Sequence, residues 1–268
     1  MKIVGLLSDF GLRDSYVAEM KAVLLSRCPV VSLLDISHEI RKYDVRMGAF
    51  VLASAARSFP DGTIYLAVVD PGVGSERVPL IVKSKRSLYV GPDNGLLMLA
   101  ALREGIECVY RVDSQKYLGP NISATFHGRD LFARVVADLV NSVSLPEIGF
   151  PVTSYVKPDF GEPEIKRRSV RCMVLHVDDF GNIVTNIRAE EGERFKAALG
   201  SAPVLEVGDR RLTVQFVRTY TDISKRGLGC LIGSHGFLEI AMKMRSAAKA
   251  IRVGPGSGLA FRFRSDTV

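Results

Sequence analysis

Apolar runs separated by amphipathic stretches fill the first part of the chain. Ile3-Val4-Gly5-Leu6-Leu7, Val30-Val31-Ser32-Leu33-Leu34, Ile64 to Val69, Leu80-Ile81-Val82 and Cys108-Val109-Tyr110 read as strands. Several are apolar almost throughout, which suits strands covered on both faces. Between them, Ser15 to Ser26, Asp44 to Ser58, Leu96 to Glu104 and Asp130 to Ser142 have helical spacing. Strands alternating with helices predict a mostly parallel α/β domain over residues 1–150. Pro146, Pro151, Pro158 and Pro163 with Gly149 and Gly161 then mark an extended connection, with the linker placed over 151–170. Beyond it the runs shorten and alternate: Met173 to Val177, Ile183 to Ile187, Val204 to Val207, Arg211 to Val214, Gly229 to Gly233 and Leu259 to Phe263. Gly208-Asp209 is a hairpin signal between two of them. A smaller β-barrel domain over 171–268, with one helix near Glu190 to Leu199, is the predicted architecture.

Composition narrows the class. The 268 residues are 47% hydrophobic and 24% charged, as in an ordinary globular protein able to bury a core without metal or disulfide support. Four scattered cysteines form no CxxC pair, so core thiols in a reducing compartment are expected rather than zinc or redox use. A net charge of +7 invites a nucleic-acid reading, but the basic residues are dispersed and no helix-turn-helix, RNP or zinc-finger pattern accompanies them. Neither nucleic acid nor membrane is an expected partner. Met1 to Asp9 turns polar too soon for a signal peptide, and no apolar run approaches the roughly 18 residues of a membrane span. A cytoplasmic protein is expected.

Candidate chemistry lies at the strand ends, where ligands sit in open parallel sheets. The run Ile64 to Val69 ends on Asp70, inside Asp70-Pro71-Gly72-Val73-Gly74-Ser75-Glu76-Arg77. A structural Asp-Pro-Gly turn explains those glycines but gives Arg77 no role, whereas a polar site explains both. His127, in Phe126-His127-Gly128-Arg129-Asp130, reads either as a satisfied core histidine or cap, or as a site residue; Arg129 with Asp130 reads as a local ion pair. Asp9 ends the first strand and suits a ribose diol, while Asp14 reads as a helix N-cap. No GxGxxG or Walker loop is present. Asp178-Asp179-Phe180-Gly181-Asn182 is a plain β-turn or a platform on which Phe180 stacks a heteroaromatic ring and Asn182 bonds its edge. Gly233-Ser234-His235-Gly236-Phe237-Leu238-Glu239 is a Gly-rich turn or an anion-cradling loop.

In order along nearly the whole chain, Ser8-Asp9-Phe10-Gly11, Asp35-Ile36-Ser37-His38, Asp70 to Arg77, Gly91-Pro92-Asp93-Asn94-Gly95, Phe126 to Asp130, Phe180-Gly181-Asn182 with Thr185-Asn186-Ile187, and Gly236 to Ala241 resemble the S-adenosylmethionine hydroxide adenosyltransferase family, relatives of the fluorinating and chlorinating enzymes. The resemblance implies an α/β domain followed by a barrel, and a homotrimer binding S-adenosylmethionine between subunits. It implies a catalytic triad at Asp70, Arg77 and His127. Substrate contacts are implied at Asp9 and Tyr43 (ribose), Phe180 and Asn182 (adenine), and Asp178 and Ser234 (methionine). The implied reaction is hydrolysis to adenosine and L-methionine, with water attacking ribose C5′ and no cofactor or metal. Halogenating relatives carry Tyr-Pro-x-Thr where this chain has Asp70-Pro71-Gly72-Val73, a Ser at Gly128 and an Arg at His235. Loss of the two halide-holding hydroxyl positions argues for water as nucleophile. The alternatives are a 5′-halogenating adenosyltransferase, which would need halide, and a non-catalytic adenosyl-binding protein, which would bind without turnover.

Overall fold

The computed structural model describes residues 1–117, 125–157, 160–199 and 203–262. They divide into two compact units, Met1–Asp159 and Phe160–Val268.

The first unit is built on seven strands: β1 Lys2–Ser8, β2 Val31–Ser37, β3 Ile64–Val68, β4 Pro79–Ser84, β5 Leu88–Pro92, β6 Ile106–Val112 and β7 Gly149–Pro151, in the order β2-β1-β3-β5-β4-β6-β7. Five of these strands run the same way, and β4 and β7 run against them. The central strands β1 and β3 are apolar because both faces are covered. On one face Val4, Leu6, Leu66, Val68 and Val90 pack with Met20 and Leu24 of helix Tyr16–Arg27 and with Phe132, Val135 and Val136 around helix Ala133–Val140. Each such fully buried Leu or Phe contributes roughly 1.5–3 kcal/mol. Helices Val45–Ala56 and Met98–Glu104 pack together outside that cluster. Asp44 caps the former, accepting from the Met47 N–H at 2.9 Å.

The position of the site follows from register. Strand β1 lies between β2 and β3, so the chain reverses its direction of winding at the β1/β3 boundary, where open sheets hold ligands. Ser8 is opposite Val68, so Asp9 and Asp70 leave neighbouring strands at the same sheet edge.

Eight strands make up the second unit: β8 Glu164–Lys166, β9 Ser169–Val177, β10 Ile183–Arg188, β11 Val204–Val207, β12 Arg210–Phe216, β13 Leu228–Ile232, β14 Phe237–Ala241 and β15 Gly258–Arg262. Pairing of β9 with β10 closes seven of them into a barrel, and β8 adds to β9. Only β12–β13 is parallel among the barrel pairings. Inward residues Val174, Leu205, Val214, Cys230, Leu238 and Phe261 fill it, and Phe195 of helix Gly192–Leu199 meets Phe216 and Phe261 edge-on.

Several expectations shift in detail. Ser15, not Asp14, occupies the N-cap of the first helix, and its hydroxyl donates to Glu19 rather than capping the backbone. Leu88–Pro92, not among the predicted runs, is a strand, and so is Phe237–Ala241, whose first three residues fall in the segment read as a Gly-rich turn or loop. The stretch 151–170 is not wholly extended connection: Pro151 ends β7, and β8 and the start of β9 fall within it. The helical pattern from Asp130 opens earlier, as a single π-helical turn over Gly128–Phe132 that runs into Ala133–Val140. Such turns recur at functional sites because they re-aim the residues beside them.

Candidate active site

In the first unit a cleft of about 250 Å³ is lined by Asp9, Tyr43, Asp70, Phe126 and His127, with Lys42 at its margin. The loop after β1 is braced from behind. The Ser8 hydroxyl bonds His38 Nδ1 at 2.7 Å, and His38 Nε2 lies 3.1 Å from Asp35, so the Asp35-to-His38 segment serves as a support. Asp9 is 6% exposed, and its Oδ2 accepts the Tyr43 N–H at 2.8 Å. Lys42 donates to the Asp9 carbonyl. Tyr43 takes a left-handed conformation (φ 66°), and its ring is exposed. A tyrosine in that region costs of order 1 kcal/mol or more, which the Asp9 bond helps offset.

Asp70 and Arg77 form a buried pair. Arg77 Nε lies 2.9 and 2.8 Å from the two Asp70 oxygens, and Nη2 also donates to Oδ2. Side-chain exposure is 5% for Asp70 and 10% for Arg77. The guanidinium lies over Phe132, 5.0 Å from the ring centre, and Asn94 donates to the Val69 carbonyl at 2.8 Å, fixing the strand end before Asp70. Arg77 Nη2 is 3.0 Å from His127 Nδ1. A guanidinium only donates, so Nδ1 must accept and the ring proton resides on Nε2. Burial, then the Arg77 charge, push the His127 pKa below its ordinary 6.5, so the ring is neutral at neutral pH. Gly128, next in sequence, is crowded: a Cβ there would come within 3.1 Å of Met20 Sδ and 3.2 Å of the Phe10 and Phe126 rings. Arg129 turns to bidentate bonds with Asp130 and a 2.7 Å contact to Glu19, the local ion pair expected.

A second, open cleft of about 680 Å³ lies in the barrel unit, lined by Phe180, Asn182, Tyr220, Ser234, His235 and Arg245 among others. Asp178 accepts both the Asn182 N–H (2.8 Å) and its side-chain amide (2.9 Å), which holds the turn and leaves Phe180 83% exposed at its tip. The expected β-turn is thus present, with the Phe180 ring exposed at its tip. Asp178 is engaged with Asn182. Thr185 and Asn186 are buried ties, the first to the Leu238 carbonyl and the second to the Met173 N–H. Gly233 to Gly236 form a turn closed by Gly236 N–H on the Gly233 carbonyl at 2.9 Å. Glu239 is 2% exposed, takes the Tyr220 hydroxyl at 2.7 Å, and lies 3.6 Å from His235 Nδ1. Burial and the Glu239 carboxylate raise the Tyr220 pKa, so the hydroxyl stays a donor.

The structure thus brings Asp70, His127, Asp9 and Tyr43 to one cleft, with Arg77 bonded to Asp70 and His127, and Asp178, Phe180, Asn182 and Ser234 to another. Tyr220 and Arg245 were not singled out from the sequence, because only the barrel's closure sets them beside Ser234; Glu239 was visible there only as part of a Gly-rich segment. Among the described residues, no group of three or more His, Cys, Asp or Glu side chains is arranged to hold a metal ion. No helix among them is long and apolar enough to cross a membrane.

An α/β unit with a polar cluster at its strand ends, followed by a closed barrel bearing an open cleft, is an architecture shared with solved structures. An uncharacterized conserved protein from Thermotoga maritima superposes with a TM-score of 0.89 at 32% identity, covering 97% of this chain and all of that one. Residues 4–149 match the SAM hydroxide adenosyltransferase N-terminal domain and residues 172–260 its C-terminal domain; the chain belongs to this family. A Methanocaldococcus jannaschii protein named (R)-S-adenosyl-L-methionine hydrolase is 35% identical, over 94% of this chain and 93% of its own. One of the same name from Thermus thermophilus is 36% identical over 96% and 98%. Proteins named fluorinase are more distant, such as that of Actinoplanes at 26% over 89% and 90%.

Proposed function

We propose that this chain is an S-adenosyl-L-methionine hydrolase, forming adenosine and L-methionine by attack of a water-derived nucleophile at ribose C5′. The observation that carries this reading is the Asp70–Arg77–His127 cluster at the cleft. Asp70 Oδ2 receives both Arg77 Nε and Nη2, whereas Oδ1 faces Nε alone and keeps a lone pair with which to accept a proton from the water. His127 presents Nε2–H as a donor to the oxygen of the nucleophile, because its other nitrogen faces Arg77. Arg77 holds both partners in position. The sulfonium leaves as a neutral thioether, so the leaving side needs no acid, and a hydroxide-like nucleophile meeting a cationic centre is favoured where water is excluded. Fixing that water in line with the breaking C–S bond lowers the barrier further. The reaction written this way draws on no cofactor.

In this reading residues 1–150 hold the ribose through Asp9 and Tyr43 and carry the triad. Residues 171–268, joined through 151–170, hold adenine through Phe180 and Asn182 and the methionine end through Ser234, with Asp178 supporting Asn182. We assign the assembly as a homotrimer with sites between subunits, and the compartment as the cytoplasm; the four cysteines, all free thiols, agree with a reducing compartment. A sulfonium is a stereocentre, and the relatives' names specify the R configuration. The R epimer is therefore the proposed substrate.

The test is incubation with each sulfonium epimer in ¹⁸O-labelled water, with and without chloride or fluoride, followed by chromatography and mass spectrometry. Labelled adenosine from the R epimer, independent of halide, is expected. Unlabelled adenosine would mean that an oxygen other than that of solvent water attacks C5′. A 5′-halo-5′-deoxyadenosine formed only with halide would assign a halogenase, and binding without turnover a sensor. Sedimentation should give three times the mass of one chain.

A further inference from the structure

The methionine end of the proposed substrate carries one carboxylate, and a cleft that takes it out of water must supply a cation. Two side chains lining the barrel cleft qualify, His235 and Arg245. His235 already faces a carboxylate: Glu239, nearly fully buried, approaches its Nδ1 at 3.6 Å while Tyr220 donates to the other Glu239 oxygen at 2.7 Å. The loop backbone closes over this group so tightly that a Cβ on Gly233 would come within 1.7 Å of Glu239 Oε1. An anion brought to His235 would sit beside that buried negative charge.

Arg245 differs in both respects. It makes no ion pair among the described residues and is exposed. It follows a tight turn after β14, in which Met244 is left-handed (φ 56°) and Met242 bridges to Arg245. On its other side lies a depression of about 470 Å³ that it shares with Lys225, Arg226 and Lys243, and no acidic residue lines it. The field there is positive and draws an anion toward Arg245.

We propose that Arg245 is the carboxylate-recognition residue of this enzyme. Its planar guanidinium pairs the two methionine carboxylate oxygens, and Ser234 lies in the same cleft. Glu239 and Tyr220 hold His235 as a support for the Gly233–Gly236 turn. The inference rests on the hydrolase reading and makes the chain selective for sulfonium substrates that retain a carboxylate.

Kinetics on S-adenosylmethionine and on its decarboxylated analogue test it, with wild type, R245Q, R245K and H235Q. The wild type is expected to prefer the carboxylated substrate in kcat/KM by roughly tenfold to a hundredfold, the range of a charge-assisted bond. R245Q should collapse that ratio toward one, mainly through KM, R245K should restore part of it, and H235Q should retain it. Retention of the wild-type ratio in R245Q, or its loss in H235Q alone, would overturn the assignment. If the wild type releases adenosine from neither compound, it is the hydrolase reading that fails. Calorimetric affinities of the two compounds for the same variants then decide the role of Arg245 separately.

Discussion

Arg77 sets the tautomer of His127 and pairs Asp70, and its removal is the most informative single change. R77M leaves the Asp70 carboxylate, 5% exposed, without its counter-charge. We expect a loss of about 3–5 kcal/mol in urea unfolding, the range for breaking a buried pair. His127 gives a pH signature. Its pKa is lowered in the folded chain, so below 6.5 the unfolded chain binds more protons than the folded one. Stability from the neutral ring is thus intact above 6.5 and is lost as pH falls through the lowered folded value. The rate should follow the same limb, because a second ring proton displaces Arg77 from Nδ1. H127Q should remove that limb from the pH profile of kcat while lowering kcat itself, roughly 100-fold or more. At this scale the sequence was legible where a side chain sits on a turn after an apolar run, as with Asp9 and Asp70. Arg77 and His127 gained their roles from the resemblance. Arg245 was hidden, because nothing in a Met-Arg-Ser step shows that it faces a cleft.

At the scale of an element, the turn between β9 and β10 depends on Gly181. Its φ is +83°, and a Cβ there would come within 2.1 Å of Ser246 Oγ and 2.7 Å of the Ser246 backbone. G181A should cost roughly 1–3 kcal/mol in thermal unfolding. It should also weaken adenosine binding by displacing Phe180, which calorimetry would detect; unaltered affinity would separate Phe180 from the ligand. The same turn shows why some elements escape sequence reading. Glycines and prolines signal breaks by default: β5, with its Gly91-Pro92 end, is not among the predicted strands, and the start of β14 lies inside the segment that reads as a Gly-rich turn or loop. Each is a strand because neighbours on both sides supply the pairing that its composition disfavours. The long apolar runs of β1 and β3 needed no such help.

Across the whole molecule, the four thiols differ sharply in access. Cys28, Cys172 and Cys230 are buried, Cys108 is partly exposed, and burial pushes Cys172 up to about 12. Iodoacetamide on the native protein should label Cys108 roughly tenfold faster or more than the others, as read by peptide mapping. Equal labelling of Cys172 would mean that the barrel opens. The alternation of strand and helix followed by short strands was enough to foresee an α/β unit and a barrel. The reversal of β4 within the sheet was not, since strand direction is a property of pairing rather than of pattern.

The exposed ring of Phe180 has an optical consequence. The chain contains no tryptophan, so F180W would place the sole indole of the protein at the tip of the 178–182 turn. A purine stacking on it would quench its emission, and the titration would report arrival of the nucleoside without reference to turnover. That signal would let occupancy and chemistry be timed independently in the same cuvette.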